Sequence, residues 1–369
     1  MSVRDLIIVG AGPSGLAAAI AARKHGLDYQ VIEQGVLVNS IYRFPPHMVF
    51  FTTPELLEIG GLPFVSPYDK PTRAEALRYY RKVVDTYDLQ IAFDERVLAV
   101  GRDDEPEPIF EIETQSSKGV RRVRLARFVV LAIGYYDRPV MLGVPGEDLA
   151  HVHHFYGDAH VHYRQRVVVV GGGNSAAEAA LELFRAGAQV TLVHRRPSLK
   201  RTIKYWVRPD IENRIKEGSI AARFSSRVTE IRPTSVVVQP IAGDAPAEDE
   251  AARQRELVAD PDASHAPAAV VSPPQASRVE DIPADAVYLL TGYRADADLM
   301  CRAGVRLNDR QAPIHDPATF ETNLPGLFIA GGAIAGADTG TIFIENGRFH
   351  GERIVEAIAR RLATGRPEA

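Results

Sequence analysis

The sequence predicts an α/β fold made of two parallel-sheet domains, one inserted into the other. Three observations predict it. A glycine turn of the form G-x-G-x-x-G (Gly10, Gly12, Gly15) follows the first apolar run, and a G-x-G-x-x-A turn (Gly171, Gly173, Ala176) follows a later one. A turn, strand and glycine-rich loop, TNLPGLFIAGGAIAG, returns near the C-terminus at 322–336. Each glycine turn is flanked by strand and helix patterns. Each therefore completes a strand–helix–strand unit, and the pair is an internal repeat of Rossmann-like, dinucleotide-binding architecture.

The elements follow in order. Leu6 to Gly10 is a short apolar strand, Gly15 to His25 an Ala/Leu-rich helix stopped by Gly26, and Tyr29 to Ile32 a second strand ending at Glu33. RFVVLAIGYYDRP (127–139) is a strand that breaks into glycine and proline, which predicts a domain exit near 139. The second unit has strands at Val167 to Val170 and Val190 to Val193, with a helix through Arg185 between them. DAVYLLTGY (285–293) repeats the strand-to-glycine exit and predicts the return to the first domain. The domains are thus 1–139 with 294–369, and 140–293. An Ala/Pro/Asp/Glu-rich stretch at 241–277 reads as a surface insertion or partly disordered loop. One long amphipathic helix is predicted over about 341–362.

Composition removes several function classes. The chain has 369 residues with 46% hydrophobic and 24% charged, the balance of a soluble globular protein. A net charge of -4 argues against nucleic acid as a partner. No apolar run approaches the roughly 18 residues of a membrane span. The N-terminus runs straight into a strand, so no signal peptide is expected. The single cysteine, Cys301, can form neither an internal disulfide nor a C-x-x-C pair, and a reducing, cytoplasmic location is the simplest reading.

The first turn suits a pyrophosphate. Its first glycine permits the bend, its second lets the backbone approach the ligand, and its third lets helix and strand pack closely. The helix N-terminus behind it, with Pro13 and Ser14, favours an anion. Glu33, with Gln34 beside it, stands where a carboxylate accepts from ribose hydroxyls. This turn alone does not separate FAD from NAD.

The second turn is more selective. Its following strand ends in His194, Arg195 and Arg196 rather than an acid, with Lys200 nearby. Two arginines at that place suit the 2′-phosphate of NADPH, where a carboxylate would repel it. Asn174 and Ser175 at the helix start are candidates to donate to the pyrophosphate, or are ordinary capping residues. Gly292 completes the NADPH set. With NADPH assigned here, the first turn is left for FAD.

These motifs together, GAGPSG, LAIGYYDRP, GGGNSAAEAA, LLTGY and TNLPGLFIAG, resemble the two-dinucleotide-domain flavoproteins of the thioredoxin-reductase type. NSIYRFPPHMVFFTTPELLEIGGLPF, IKYWVRPDIENRIKEGSI and IFIENGRFHG are similar to the YpdA-type bacilliredoxin reductases within that group. The resemblance implies FAD in the split domain, NADPH in the inserted one, a homodimer, and an acceptor that is a small-molecule thiol disulfide or a small redox protein. With hydride passing from NADPH to flavin, the protein's share is orientation and electrostatics rather than a side-chain acid or base, so no catalytic residue is assigned. Tyr42 is then a candidate to stack on the flavin, Val97, Gly134 and Gly331 candidates to line its site, and Thr341–Ile342 a helix start aimed at the flavin edge. His350 lies near the flavin or on the helix surface.

Three departures stand out. The C-x-x-C of thioredoxin reductases is absent. Ser14 occupies the place where the resemblance to the YpdA-type enzymes implies a cysteine, and a hydroxyl forms no mixed disulfide. Gly332 follows IAG where an aspartate often holds the ribityl chain. An acceptor drawing electrons straight from the flavin (a ferredoxin-like protein, a quinone or oxygen), a flavin monooxygenase, and a nucleotide-binding redox sensor stay open as alternatives. HVHHFYGDAHVHY (151–163) holds five of the eleven histidines, but no acid or cysteine cluster accompanies them, so no metal site is assigned. Its Phe155, Gly157 and His160 fall one residue short of the F-x-G-x-x-x-H spacing of flavin monooxygenases. Cys301 is expected to be a small buried residue.

Overall fold

The computed structural model describes residues 2–103, 108–241 and 278–364. The insertion expected at 241–277 lies outside the described residues from position 242 onward. The chain divides into two compact units, Met1–Val140 with Tyr293–Ala369, and Met141–Gly292.

In chain order the first unit begins β1 (Val3–Val9), α1 (Pro13–Lys24), β2 (Tyr29–Ile32), α2 (Asn39–Tyr42), a 3-10 turn at Pro54–Leu57, α3 (Arg73–Tyr87), β3 (Ile91–Ala92), β4 (Arg96–Asp103), β5 (Ile109–Gln115) and β6 (Arg121–Leu131). The second unit comprises β7 (Val152–His153), β8 (Arg166–Val170), α4 (Asn174–Arg185), β9 (Gln189–Val193), α5 (Arg208–Lys216), β10 (Ala221–Arg223), β11 (Ser226–Arg232), β12 (Ser235–Pro240), β13 (Glu280–Pro283) and β14 (Ala286–Leu289). The chain then returns to the first unit with α6 (Ala297–Arg302), β15 (Leu327–Ile329), α7 (Ile344–Gly347) and α8 (His350–Thr364).

Unit 1 is built on a mixed sheet in the order β3-β2-β1-β6-β5-β4, with β15 also paired to β6. The strands around β1 are parallel, and β4 and β5 join antiparallel. The centre of β1 is Leu6, Ile7 and Ile8, all fully buried. A parallel strand covered on both faces requires such a continuous apolar run. Unit 2 repeats the plan with a parallel sheet in the order β10-β9-β8-β14-β7, plus an antiparallel sheet β11-β12-β13. Val167 to Val170 is its central apolar run. The fold is thus α/β with two Rossmann-like domains, the first split in sequence by the second.

Alanines decide the packing of α1. Ala17 to Ala22 are buried, and α8 crosses them so closely that a Cβ on Gly351 would strike the Ala18 backbone. Ile354, Val355 and Ile358 of α8 join the same core. Replacing Gly351 with valine is expected to destabilise unit 1 by about 1–3 kcal/mol through overpacking. An unchanged denaturant midpoint would contradict this packing.

The C-terminal segment departs from the single helix predicted over 341–362. It forms α7 and α8, separated at Arg348–Phe349. The Asn346 side chain caps the start by accepting from the Phe343 N–H (2.9 Å), so the helix begins at Ile344 rather than Thr341. Gly347 then packs against Gly331.

Candidate functional site

In unit 1 the C-terminal ends of β1, β2 and β6 open into a cavity of about 400 Å³. Ligands of open α/β sheets bind at this end of the strands. Gly10, Gly12, Pro13 and Ser14 form one wall, Glu33 and Gln34 another, with Val97, Gly134, Gly331 and Ile342 around them.

The glycine turn has the geometry a diphosphate needs. Gly10 sits at φ +108°, and a Cβ there would strike the Ala132 carbonyl. Gly15 does not line the cavity; a Cβ on it would strike the Gly10 carbonyl, so its role is to seat α1 on β1. Gly12 differs: nothing lies within 4 Å of where its Cβ would stand, which leaves room beside the backbone on the cavity side. No side chain caps α1, so its first-turn N–H groups suit an anion.

Glu33 is buried at the end of β2. Its Oε2 accepts the Ala11 N–H and its Oε1 the Gly35 N–H, both at 2.8 Å. Burial raises its carboxyl above the ordinary range against the pull of these two amides. A carboxylate offers about four acceptor positions, so ribose hydroxyls fit beside the backbone donors. Gln34 donates to Asp137 (3.0 Å).

Asp137 escaped the sequence reading. It also receives Asn39 Nδ2 (3.2 Å) and Arg43 (3.4 Å), and ties three cavity-lining side chains together. Burial raises its carboxyl, and Arg43 opposes this. The signal was one acid in YYDRP, opposite Asn39 and Arg43 in NSIYR, which sequence alone does not pair. Val38, at φ +47°, also lines the cavity in a conformation rare for a β-branched residue. Glu95 lines it as well, but its carboxylate is taken up by Arg122 (2.7 Å) and Arg124 (2.9 Å).

Three expectations in unit 1 need correction. Tyr42 is 52% exposed and outside the cavity lining. Four-residue α2 turns Asn39 and Ile41 inward and leaves Tyr42 under the Arg73 guanidinium, 5.4 Å from the ring centre. Thr341 precedes α7 and bonds to Asp338 O (3.1 Å), so only Ile342 reaches the cavity. Cys301 is exposed rather than buried, because α6 turns Leu299 and Met300 inward.

In unit 2, α4 likewise starts without a side-chain cap behind Gly171 and Gly173. A Cβ on Gly171 would meet the Leu290 carbonyl and the Ala176 methyl, which explains the small residue at 176. Lys200 follows the turn, its N–H donating to Gly172 O (2.9 Å). His194 is buried with its ring against Gly172, and its Nε2 has no hydrogen-bond partner. An orphaned buried donor or acceptor beside a glycine turn fits a missing ligand. Burial, then the charges of Lys200, Arg195 and Arg196, pushes the imidazole down to about 4, so it is neutral near neutral pH. Arg195 is exposed and Arg196 half-buried beyond it.

Asn174 is occupied differently from the pyrophosphate donor expected. Its Nδ2 donates to Thr202 O (3.2 Å) and its Oδ1 accepts the Lys204 N–H (2.8 Å), pinning the 202–204 loop to the helix start. Ser175 is exposed at the first turn of α4, and Gly292 closes the unit at φ +112°. In the histidine-rich stretch, His162 is tied to Gln165 (2.8 Å) and the Tyr288 hydroxyl (2.7 Å). Among the described residues no three His, Cys, Asp or Glu side chains gather as a metal site would need.

Two glycine turns, each opening an uncapped helix, one followed by a buried acid and the other by arginines, define a protein with two dinucleotide-binding units. The profile of the pyridine nucleotide-disulphide oxidoreductases matches residues 7–252, and the chain belongs to that family. It is 36% identical over 356 residues to the bacilliredoxin reductase Bdr of Bacillus subtilis (strain 168), covering 96% of this chain and 97% of the relative. The solved bacillithiol disulfide reductase Bdr (YpdA) from Bacillus cereus superposes with a TM-score of 0.85 at 36% identity, covering 98% of this chain and all of that one. The thioredoxin reductase of Lactococcus lactis shares the fold, with a TM-score of 0.69 at 19% identity over 98% of this chain and 99% of that one. The chain is an oxidoreductase with FAD and NADPH as its cofactors. No helix among the described residues is long and apolar enough to cross a membrane.

Proposed function

We propose that unit 1 holds FAD, that unit 2 holds NADPH, and that the electrons leave to a small thiol disulfide or small redox protein without a thiol relay in the enzyme. Bound there, FAD would supply a two-electron carrier able to accept a hydride from NADPH and pass the electrons on to an acceptor. The protein's part is to hold and orient. Gly12 and the start of α1 receive the FAD pyrophosphate, and Glu33 its ribose. Gly173 and the start of α4 receive the pyrophosphate of NADPH, and Arg195 and Arg196 its 2′-phosphate.

The observation that carries the last part is the cavity wall. Ser14 stands at the turn, no cysteine lines the cavity, and the chain's one thiol, Cys301, is exposed on α6. The test is NADPH oxidation with a panel of disulfides, redoxins, ferredoxin, quinones and oxygen. Replacing Cys301 with serine is expected to leave every rate within about twofold, as for a surface change away from the site. Loss of turnover in that variant would overturn the relay-free reading. Replacing Ser14 with cysteine is expected to raise disulfide reduction, and an unchanged rate would place acceptor selection elsewhere.

The lone cysteine also supports a reducing, cytoplasmic setting. A homodimer is part of the same proposal. Phe51 and Phe343, both exposed and edge-to-face at 5.5 Å, offer apolar surface on unit 1. Sedimentation at assay concentration tests it, and a monomer would contradict it.

A further inference from the structure

His350 opens α8 with its side chain turned into unit 1, and it is buried. Its Nδ1 accepts the Gly331 N–H at 3.2 Å. An imidazole nitrogen that accepts carries no proton, so the neutral ring holds its proton on Nε2. Burial, with Arg353 and His315 nearby, pushes the imidazole down to about 4, which keeps this acceptor intact near neutral pH.

The ring is held by a stack. Phe320 lies 4.2 Å from it at 23°, and His315 lies 5.9 Å from Phe320 at 18°. Phe320 adopts φ +62°, an outlier for a bulky side chain, and is kept there by bonds to Asp316 O (2.7 Å) and from the Ile329 N–H (3.0 Å). Strain of this kind persists where the surroundings over-determine it, and it gathers at working sites.

Gly331 is therefore gripped from two directions. It sits at φ +66°, and a Cβ on it would strike Ser14 Oγ. A Cβ on Gly347 would lie 3.2 Å from both Gly331 Cα and Ser14 Oγ. The Ala330–Gly332 turn and Ser14 are both cavity wall.

We propose that His350 is a positioning residue for FAD: its Nδ1 fixes Gly331 in the left-handed conformation and holds the Ala330–Gly332 wall against Ser14 at the spacing the cofactor needs. The proposal rests on reading this cavity as the FAD site. His350→Phe keeps a ring on Phe320 and removes the acceptor. His350→Asn returns an acceptor near the Nδ1 position. Apoprotein titrated with FAD, followed by fluorescence and the visible spectrum, is expected to show about tenfold weaker binding for His350→Phe, as for one orphaned buried donor, and binding within about threefold of wild type for His350→Asn.

A His350→Phe protein that binds FAD as tightly as wild type, with the same spectrum, would overturn the proposal. So would a His350→Asn protein no better than His350→Phe. Should His350→Phe fail to fold, imidazole nitrogen NMR of the wild-type protein decides. The Nε2–H tautomer is expected, and a proton on Nδ1 would overturn it. A wild-type apoprotein that takes up no FAD would instead overturn the reading of the cavity itself.

Discussion

Gly10→Ala protein is expected to purify without flavin. The added Cβ meets the Ala132 carbonyl, and alanine at φ +108° is strained whatever the space. Clash and strain together cost about 2–5 kcal/mol, enough to shift the turn. The FAD dissociation constant should rise at least about a hundredfold, the equivalent of 2.7 kcal/mol or more. Gly12→Ala separates binding from folding. Its Cβ meets nothing within 4 Å, so the apoprotein should stay within about 0.5 kcal/mol of wild type in stability. Yet the same methyl would occupy the space assigned to the pyrophosphate, and FAD should bind weakly. Titration of apoprotein with FAD, alongside denaturant unfolding, checks both. A Gly10→Ala protein with wild-type FAD affinity would contradict the turn's role.

The second large effect concerns the arginines after β9. Removing both side chains, as Arg195→Ala with Arg196→Ala, deletes the charge-assisted bonds assigned to the 2′-phosphate. Each is worth about 1.5–3 kcal/mol, so the KM for NADPH should rise about a hundredfold or more. The KM for NADH, which lacks that phosphate, should change less than about threefold, as uniform binding lost only toward one substrate requires. Steady-state kinetics with the two nucleotides decide. Equal effects on both would remove the 2′-phosphate assignment.

Much of this was legible because glycine turns and apolar runs act locally. Leu6–Ile8 and Val167–Val170 announce buried parallel strands, and Gly10, Gly12 and Gly15 announce a tight turn with a bare backbone. Glu33 could be placed at the cavity wall because a strand end lies at a fixed distance from the turn it follows, and the same spacing puts Arg195 and Arg196 just beyond β9. Asp137 was not readable. It works by collecting Gln34, Asn39 and Arg43 from about a hundred residues upstream, and only the fold makes that set.

Tyr42 failed for a related reason. Aromatic character near a motif says nothing of which side of a one-turn helix it occupies, and α2 gives the inward side to Asn39 and Ile41. The break between α7 and α8 was hidden because the apolar pattern continues through it. The start of α7 at Ile344 was equally hidden, because it is set by the Asn346 side chain accepting from the Phe343 N–H, a contact with no periodic signature. Asn174 shows the same limit on finer detail. Its position beside the turn was evident, but its carboxamide is spent on Thr202 and Lys204.

The most direct single measurement is anaerobic stopped-flow mixing of the purified yellow protein with NADPH or NADH. Unit 1 as the FAD site and unit 2 as an NADPH-selective site together predict that NADPH bleaches the flavin band within seconds and NADH far more slowly. Bleaching by NADH with none by NADPH, or a colourless protein that takes up no FAD, would contradict it.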